Sequence, residues 1–215
     1  MIKIAPSILS ADFTALGKDI KEVEQAGADY LHLDVMDGVF VPNISIGLPV
    51  LASIRKATDM ILDVHLMITK PNRYIDAFLD AGTDILVFHL EADEPQEIRA
   101  AIDKVKARGK KVGLSLKPKT PMETLIPYIK DLDLILIMTV EPGFGGQSFM
   151  PDQLEKIRKT HTLIKTENPT CELEVDGGID PETKNLVIEA GANVLVAGNA
   201  VFGKPNRAEA IQALR

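Results

Sequence analysis

The sequence contains very little cysteine and no excess of positive charge. Cys171 is the single cysteine among 215 residues, so no intrachain disulfide can form and a reducing, cytoplasmic environment is expected. Nothing near Cys171 in the sequence would activate its thiol, which we interpret as a packed side chain. The formal net charge is −7, whereas a nucleic-acid-binding protein usually carries a basic patch or stripe. A nucleic-acid partner is therefore not expected.

Long hydrophobic runs and linker segments are also missing. No apolar run approaches the ~18 residues that would span a membrane, and the first residues lack the basic and apolar regions of a secretory signal. We therefore expect no membrane partner. Because no Ser/Gly-rich linker or charge block divides the chain, we predict one domain over residues 1–215.

The sequence does contain a short recurring motif, in which Ala-Gly is followed by a pair of small or polar residues and then by an apolar run. It occurs at residues 26–29, 81–84 and 190–193, and a glycine just past a helix end, followed by a strand, is typical of a βα repeat. The spacings between these glycines and Gly109 are multiples of roughly 27 residues, and the chain length corresponds to about eight such units.

The apolar pattern independently predicts eight strands, each followed by an amphipathic stretch. The predicted strands cover residues 2–9, 30–36, 62–68, 84–90, 111–117, 133–140, 172–177 and 194–198. Six helices are predicted to begin with a proline in the first turn, at Pro71, Pro95, Pro121, Pro151, Pro181 and Pro205. Strict alternation indicates a parallel sheet, and eight units indicate an α/β fold closed into a single (β/α)8 TIM barrel. The alternative, a doubly wound open sheet, would be expected to carry a glycine-rich turn after its first strand, where residues 6–10 contain no glycine.

Three of the predicted strands carry ionisable side chains on one face only. Aliphatic residues alternate there with a second set, which comprises His32, Asp34 and Met36 on the second strand, Asp63, His65 and Met67 on the third, and Glu174 and Asp176 on the seventh. Because the outer face of a barrel packs against helices, the aliphatic residues must point outward and the second set inward. Ionisable groups inside a barrel are costly unless they are paired or bind a metal.

Four of these inward side chains form a candidate metal site: His32, Asp34, His65 and Asp176. Two imidazoles and two carboxylates suit one divalent ion such as Zn, Fe(II), Mn or Co. One inward histidine alone is more often a satisfied core group, but convergence from three strands favours a site. His89 remains open, because it can line the pocket, contact a ligand residue from outside or simply pack.

Glycine-rich segments follow the sixth, seventh and eighth strands. They cover residues 141–147, 176–178 and 198–199. Barrels often bind phosphate through backbone N–H groups after strands seven and eight, and the long segment 141–147 is a candidate lid; plain turns are the alternative. Three methionines share the inward parity and are interpreted either as core filling or as pocket lining: Met36, Met67 and Met138.

Residues 31–43, Leu-His-Leu-Asp-Val-Met-Asp-Gly-Val-Phe-Val-Pro-Asn, closely resemble the ribulose-phosphate 3-epimerase family, and residues 136–147 look like the second signature of that family. The resemblance runs nearly end to end. It implies metal ligation by His32, Asp34, His65 and Asp176, with Asp34 and Asp176 also acting as the two acid/base groups. The further implied substrate contacts are Ser7, His65, Gly143, Phe144, Gly145, Gly146, Gly177, Gly178, Gly198 and Asn199. Many members have Ser at the place of Asn199, which puts that side-chain contact in doubt.

The reaction implied by the resemblance interconverts D-ribulose 5-phosphate and D-xylulose 5-phosphate in the pentose phosphate pathway. It removes the C3 proton, passes through a 2,3-enediolate and needs no organic cofactor. The expected partner is a small phosphoketose, and a homo-oligomer is expected. Three alternatives remain open: a 3-epimerase of another phosphoketose such as allulose 6-phosphate, an aldolase-type phosphosugar barrel, and a non-catalytic sugar-phosphate-binding barrel. The last would be expected to have lost Asp34 or Asp176, and both are present.

Overall fold

Eight parallel strands form the sheet of the computed structural model, which describes residues 1–215. The strands are β1 Lys3–Pro6, β2 Tyr30–Met36, β3 Ile61–Met67, β4 Ile85–His89, β5 Lys111–Leu116, β6 Leu134–Met138, β7 Glu172–Asp176 and β8 Val194–Ala197. Every predicted strand is present, with ends that differ by up to three residues. The largest difference is in β1, which stops at Pro6 because Ile8–Ser10 form a 3-10 helix.

The sheet closes into a barrel through one weak junction. Each strand pairs with its neighbour in the order β1-β8-β7-β6-β5-β4-β3-β2, and an isolated parallel bridge between Ser7 and His32 joins β1 to β2. The predicted (β/α)8 barrel is therefore confirmed, and the open doubly wound sheet is wrong.

Six α-helices connect the strands, and two more follow the last strand. They are α1 Leu16–Gln25, α2 Leu48–Ala57, α3 Ile75–Asp80, α4 Pro95–Ala107, α5 Gln153–Glu167, α6 Lys184–Glu189, α7 Asn199–Phe202 and α8 Arg207–Ala213. The connection after β5 departs from the prediction, since it contains two 3-10 helices, Met122–Leu125 and Ile129–Asp131, instead of an α-helix. None of the helices combines the length and the apolar character that a bilayer crossing requires.

The prediction about helix-starting prolines is correct only in part. Pro95 is the first residue of α4, and Pro71 begins a 3-10 helix, Pro71–Arg73. Pro121 caps a 3-10 helix in an extended conformation. The remaining three lie in the turns before α5, α6 and α8. A proline fixes its own φ and needs no N–H partner, so it suits a pre-helical turn as well as a first helical position.

Two apolar layers lie on opposite sides of the barrel wall. Leu31 and Leu33 of β2 belong to the large outer core, together with helix residues such as Val23. A smaller core fills the barrel interior: Ala5, Tyr30, Ile85, Val87, Leu134, Leu136, Met138, Val140, Val194 and Val196. The predicted outward and inward faces of the strands are therefore correct, and the apolar interior leaves the polar side chains together at one level of the barrel.

Candidate functional site

The four candidate metal ligands converge inside the barrel. His32 and Asp34 lie on β2, His65 lies on β3 and Asp176 ends β7. One nitrogen or oxygen from each of these side chains lies within 4.8 Å of one from every other. Both histidines are fully buried and Asp34 is 4% exposed. Period-two alternation places the pair on β2 on one face, and parallel register brings His65 beside Asp34.

Each histidine directs one ring nitrogen at the same carboxylate oxygen. Nε2 of His32 and Nδ1 of His65 both lie 3.3 Å from Oδ1 of Asp34. Nε2 of His32 is buried and has no hydrogen-bond partner of acceptable geometry. The hydroxyl of Ser7 donates a 2.6 Å hydrogen bond to the other oxygen, Oδ2. An unpartnered imidazole nitrogen beside carboxylates is a donor set that fits a divalent cation.

The rear nitrogen of His32 faces a second carboxylate. Nδ1 of His32 lies 2.5 Å from Oδ2 of Asp63, the arrangement in which a carboxylate orients a metal-binding imidazole. Burial lowers the pKa of His32, but Asp34 and Asp63 raise it by more, to well above its ordinary value. Glu174 is fully buried near this pair, with Oε1 3.9 Å from Nδ1 of His32. Burial and the charge of Asp63 raise the pKa of Glu174 well above its usual range, so both favour its protonated form.

Asp34 and Asp176 have opposite pKa shifts. Burial raises the pKa of both carboxyl groups. At Asp34 the charge of His32, and then the nearby imidazoles of His32 and His65, lower the pKa by more, so it falls below its ordinary range. At Asp176 the charge of Asp34 adds to burial and raises the pKa to about 7. Near neutral pH, Asp34 is therefore a carboxylate, whereas Asp176 can hold a proton.

His89 contacts His65 from the side away from the metal ligands. The two Nε2 atoms lie 3.0 Å apart, and Nδ1 of His89 lies 3.2 Å from Oε2 of Glu91. Burial lowers the pKa of His89 to about 4, so its ring is uncharged. The structure thus places His89 outside the group of four, in contact with one of its members.

A cavity of about 510 Å³ opens at the carboxyl ends of the strands. Its lining includes fourteen of the predicted site residues, of which twelve are Ser7, Asp34, Met36, Met67, Met138, Gly143, Phe144, Gly145, Gly146, Asp176, Gly177 and Gly178. Gly198 and Asn199 also line it. His32 and His65 do not, and lie behind Asp34. A substrate contact by His65 is therefore not evident from the cavity wall.

Residues that the sequence analysis did not single out also line the cavity. Ser10 and Lys204 are among them, and Lys204 is the only lysine or arginine in the lining. Asp63 and Glu174 were placed inward by their strand parity but were given no role. Lys204 lies just beyond the short helix α7 and belongs to no sequence motif, so only the structure shows that it lines the cavity together with Gly198 and Asn199.

The segment 141–147 covers one side of the cavity and is tied down by side-chain amides. Asn43 donates a 2.8 Å hydrogen bond to the carbonyl of Gly143, and Gln147 donates to the carbonyls of Glu141 and Phe144. The aromatic ring of Phe144 is 55% exposed. The segment therefore has a defined shape, and its apolar tip at Phe144 both lines the cavity and is exposed at the surface.

Comparisons with known proteins identify close relatives over the full chain. The model of the Ribulose-phosphate 3 epimerase family matches residues 3–202. A "Ribulose-phosphate 3-epimerase" of Bacillus subtilis (strain 168) is 52% identical over 216 residues, which cover 100% of this chain and 99% of the relative. The "Ribulose-phosphate 3-epimerase, cytoplasmic isoform" of Oryza sativa subsp. japonica is 45% identical, over 99% of this chain and 92% of the relative.

Solved structures of lower identity share the fold. A 3-hexulose-6-phosphate synthase superimposes with a TM-score of 0.72 at 22% identity, over 99% of this chain and 98% of that chain. A 3-keto-L-gulonate-6-phosphate decarboxylase from Vibrio cholerae gives a TM-score of 0.74 at 17% identity, over 100% of this chain and 95% of that chain. At these identities the likeness supports the barrel fold alone.

Proposed function

Since this chain belongs to the ribulose-phosphate 3-epimerase family, we propose that it catalyses the metal-dependent epimerisation of D-ribulose 5-phosphate at C3 to give D-xylulose 5-phosphate, a reaction of the pentose phosphate pathway. The observation that carries the proposal is the convergence of His32, Asp34, His65 and Asp176 within 4.8 Å at the inner end of the cavity. The cavity volume, about 510 Å³, lies in the range typical of small-molecule sites.

The four converging side chains would hold one divalent ion, such as Zn, Fe(II), Mn or Co. When bound, such an ion supplies Lewis acidity that stabilises negative charge on the oxygens of the substrate. Ser7 and Asp63 support the site from two directions, because Ser7 fixes one oxygen of Asp34 and Asp63 fixes the ring of His32.

Asp34 and Asp176 would exchange the two protons of the reaction. The ionised carboxylate of Asp34 removes the proton from C3, beside the C2 carbonyl, and the carboxyl group of Asp176 delivers a proton to the opposite face of C3. In the metal-free protein the pKa values of these two carboxyl groups shift in opposite directions, so their environments already differ. The residues arise from β2 and β7, which are separated around the barrel by β1 and β8, so the two carboxyl groups approach a central substrate from different sides.

The substrate phosphate would bind at the glycine-rich ends of β7 and β8. Backbone N–H groups around Gly178 and Gly198 can donate to phosphate oxygens, and Lys204, which also lines the cavity, would supply a positive charge. Met36, Met67 and Met138 line the cavity near the carboxylates, where their thioethers would limit the access of water to the reacting carbon.

Turnover in deuterated water tests this proposal. With metal-loaded protein and D-ribulose 5-phosphate, the product should carry deuterium at C3, because the incoming proton comes from a solvent-exchanged acid. Asp34→Asn and Asp176→Asn should each reduce epimerisation by about 100-fold or more, the lower range for loss of a general acid or base. NMR of the product and a coupled assay for D-xylulose 5-phosphate provide the measurements.

Two controls make the result specific. Asp103→Asn changes an exposed carboxyl on α4 and should retain wild-type activity. Metal content is measured for each variant, so that loss of the ion is separated from loss of an acid/base group. Retention of the original C3 hydrogen in the product, or near-wild-type turnover by metal-loaded Asp176→Asn, would contradict the proposal.

A further inference from the structure

The segment 141–147 crosses the open end of the cavity and lies against the loops that follow three other strands. Its glycines approach residues after β2, β1 and β8 in turn. Measured from a Cβ placed on each glycine, the distances are 3.5 Å from Gly143 to Cδ of Pro42, 3.7 Å from Gly145 to Oγ of Ser10, and 3.4 Å from Gly146 to Nδ2 of Asn199. The segment therefore spans the cavity from the β2 side to the β8 side.

No backbone–backbone hydrogen bond holds this segment in place. On either side of it, the N–H of Met150 donates a 2.9 Å hydrogen bond to the carbonyl of Thr139, but residues 141–147 neither donate nor accept such a bond. The backbone N–H groups of residues 143–147 are therefore free of other backbone groups. Consecutive N–H groups in a glycine-rich turn are suited to bind an anion.

One side-chain hydrogen bond joins the segment to the rest of the protein. Gln147 donates to two carbonyls within the segment, those of Glu141 and Phe144, and so fixes its internal shape. Asn43 donates from outside, through Nδ2, to the carbonyl of Gly143 at 2.8 Å. Gly143 is buried, whereas residues 144–146 are exposed. The segment thus has one anchored end near Asn43 and an exposed tip.

The amide of Asn43 is fixed relative to the strand that carries Asp34. Oδ1 of Asn43 accepts a 2.9 Å hydrogen bond from the N–H of Ile44, and Ile44 forms an antiparallel bridge with Asp37 at the end of β2. The next residue, Ser45, donates from its hydroxyl to the carbonyl of Asp34. A rigid hairpin on β2 therefore presents the Nδ2 group to the segment.

We infer that Asn43 holds the segment 141–147 closed over the cavity, where the free N–H groups of its tip meet the phosphate of the substrate. The inference rests on the function proposed above and adds a residue to it. Asn43 is a positioning residue, because it does not line the cavity. A single hydrogen bond contributes little enough free energy that the segment can open for substrate entry and product release.

The substitution Asn43→Asp tests the inference because it removes the donor and keeps the acceptor. The new carboxylate can still accept from the N–H of Ile44, but its second oxygen faces the carbonyl oxygen of Gly143 and repels it. Asn43→Ala removes the donor without this repulsion. Thermal unfolding confirms that both variants are folded.

Cleavage by chymotrypsin after Phe144, whose side chain is 55% exposed, reports the open form of the segment. The rate in metal-free protein should rise roughly twofold to tenfold in Asn43→Ala, the range that corresponds to one hydrogen bond, and at least as much in Asn43→Asp. Asn185→Asp makes the same change of charge at an exposed position of α6 and should be cleaved as the wild type is. Mass spectrometry locates the cleavage.

Inorganic phosphate tests the role of the tip. It should slow cleavage of the wild type when compared with sodium chloride at equal ionic strength. In the epimerase assay, the KM for D-ribulose 5-phosphate should rise in Asn43→Asp while kcat stays within about twofold, because saturating substrate itself favours the closed form.

A wild-type cleavage rate in Asn43→Asp, or the absence of protection by phosphate, would overturn the inference. Faster cleavage of Asn43→Asp and protection of the wild type, without epimerisation by either protein, would contradict the proposed function and leave the role of Asn43 standing.

Discussion

Asp34 receives a hydrogen bond from Ser7 and lies beside two imidazoles, whereas Asp176 makes no side-chain hydrogen bond in the structure. The same chemical group therefore has a lowered pKa at one position and a pKa of about 7 at the other. Removing a donor from Asp34 or adding one to Asp176 would bring the two values together. At the scale of single residues, the charge of His32 and the two imidazoles beside Asp34 separate the pKa of the proposed base from that of the proposed acid.

The raised pKa of Asp176 predicts a proton that a metal ion must displace. At pH 6 the carboxyl group of metal-free protein is mostly protonated, because its pKa is about 7, and at pH 9 it is ionised. Zinc binding to wild type should therefore release about one more proton at pH 6 than zinc binding to Asp176→Asn, and the difference should vanish at pH 9. Calorimetry in buffers of different ionisation enthalpy measures the release. Equal proton release by the two proteins at pH 6 would show that Asp176 is already ionised there.

At the scale of elements, the residues just after β7 lie in close contact with the connection that follows β6. Gly178 has a φ of +66°, and a Cβ at this position would lie 2.4 Å from the backbone nitrogen of Phe149. Gly178→Ala should therefore destabilise the protein by about 1–3 kcal/mol and displace the neighbouring segment 141–147. Chemical denaturation gives the change in the free energy of unfolding.

Gly109 provides a matched control for this substitution. Its φ is +68°, but a Cβ there would meet nothing within 4 Å, so the cost of Gly109→Ala comes only from the left-handed conformation. The difference between the two variants isolates the cost of crowding, and Gly109→Ala should leave substrate binding unchanged. An equal loss of stability in both variants would mean that the backbone of Phe149 yields at little cost.

Elements that depend on local periodicity could be predicted from the sequence. Alternation along β2 and β3 was enough to place Leu33 outside the barrel and His32 and His65 inside it. The α-helix expected after β5 was wrong, since an apolar pattern of that length does not distinguish one long helix from two short turns around Pro127. Short elements obtain their stability from packing, which local sequence does not reveal.

Contacts between elements were harder to predict from the sequence. Asp63 supports His32 because the two residues are directly paired between β3 and β2, and that register follows from closure of the whole barrel. Glu91 belongs to a 3-10 helix, Leu90–Ala92, whose position relative to His89 has no sequence signature. Lys204 likewise reaches the cavity only because the chain turns after α7. Their roles depend on distances across the molecule, and a pattern along the chain does not contain them.

For the molecule as a whole, a bound ion would connect strands from both sides of the barrel. The candidate ligands come from β2, β3 and β7, and an unfolded chain cannot present them together. Zinc at a concentration about 1,000 times its Kd should therefore add about 4 kcal/mol to the free energy of unfolding and raise the Tm by roughly 10 °C. Differential scanning calorimetry with and without zinc measures the shift. His65→Ala should show a much smaller rise, and an equal rise would place the ion elsewhere.

The junction between β1 and β2 has a consequence for how this barrel comes apart. Every other pair of neighbouring strands shares a continuous ladder, but these two meet at the single bridge between Ser7 and His32. The hydrogen bond from Ser7 to Asp34 crosses the same gap, so the proposed catalytic carboxylate also helps to close the ring of strands. Partial opening at the junction between β1 and β2 costs less free energy than separating two continuously paired strands. It separates Ser7 from Asp34 while the remaining strands stay paired. We therefore expect local opening of the barrel to disrupt the proposed active site before the fold as a whole is lost.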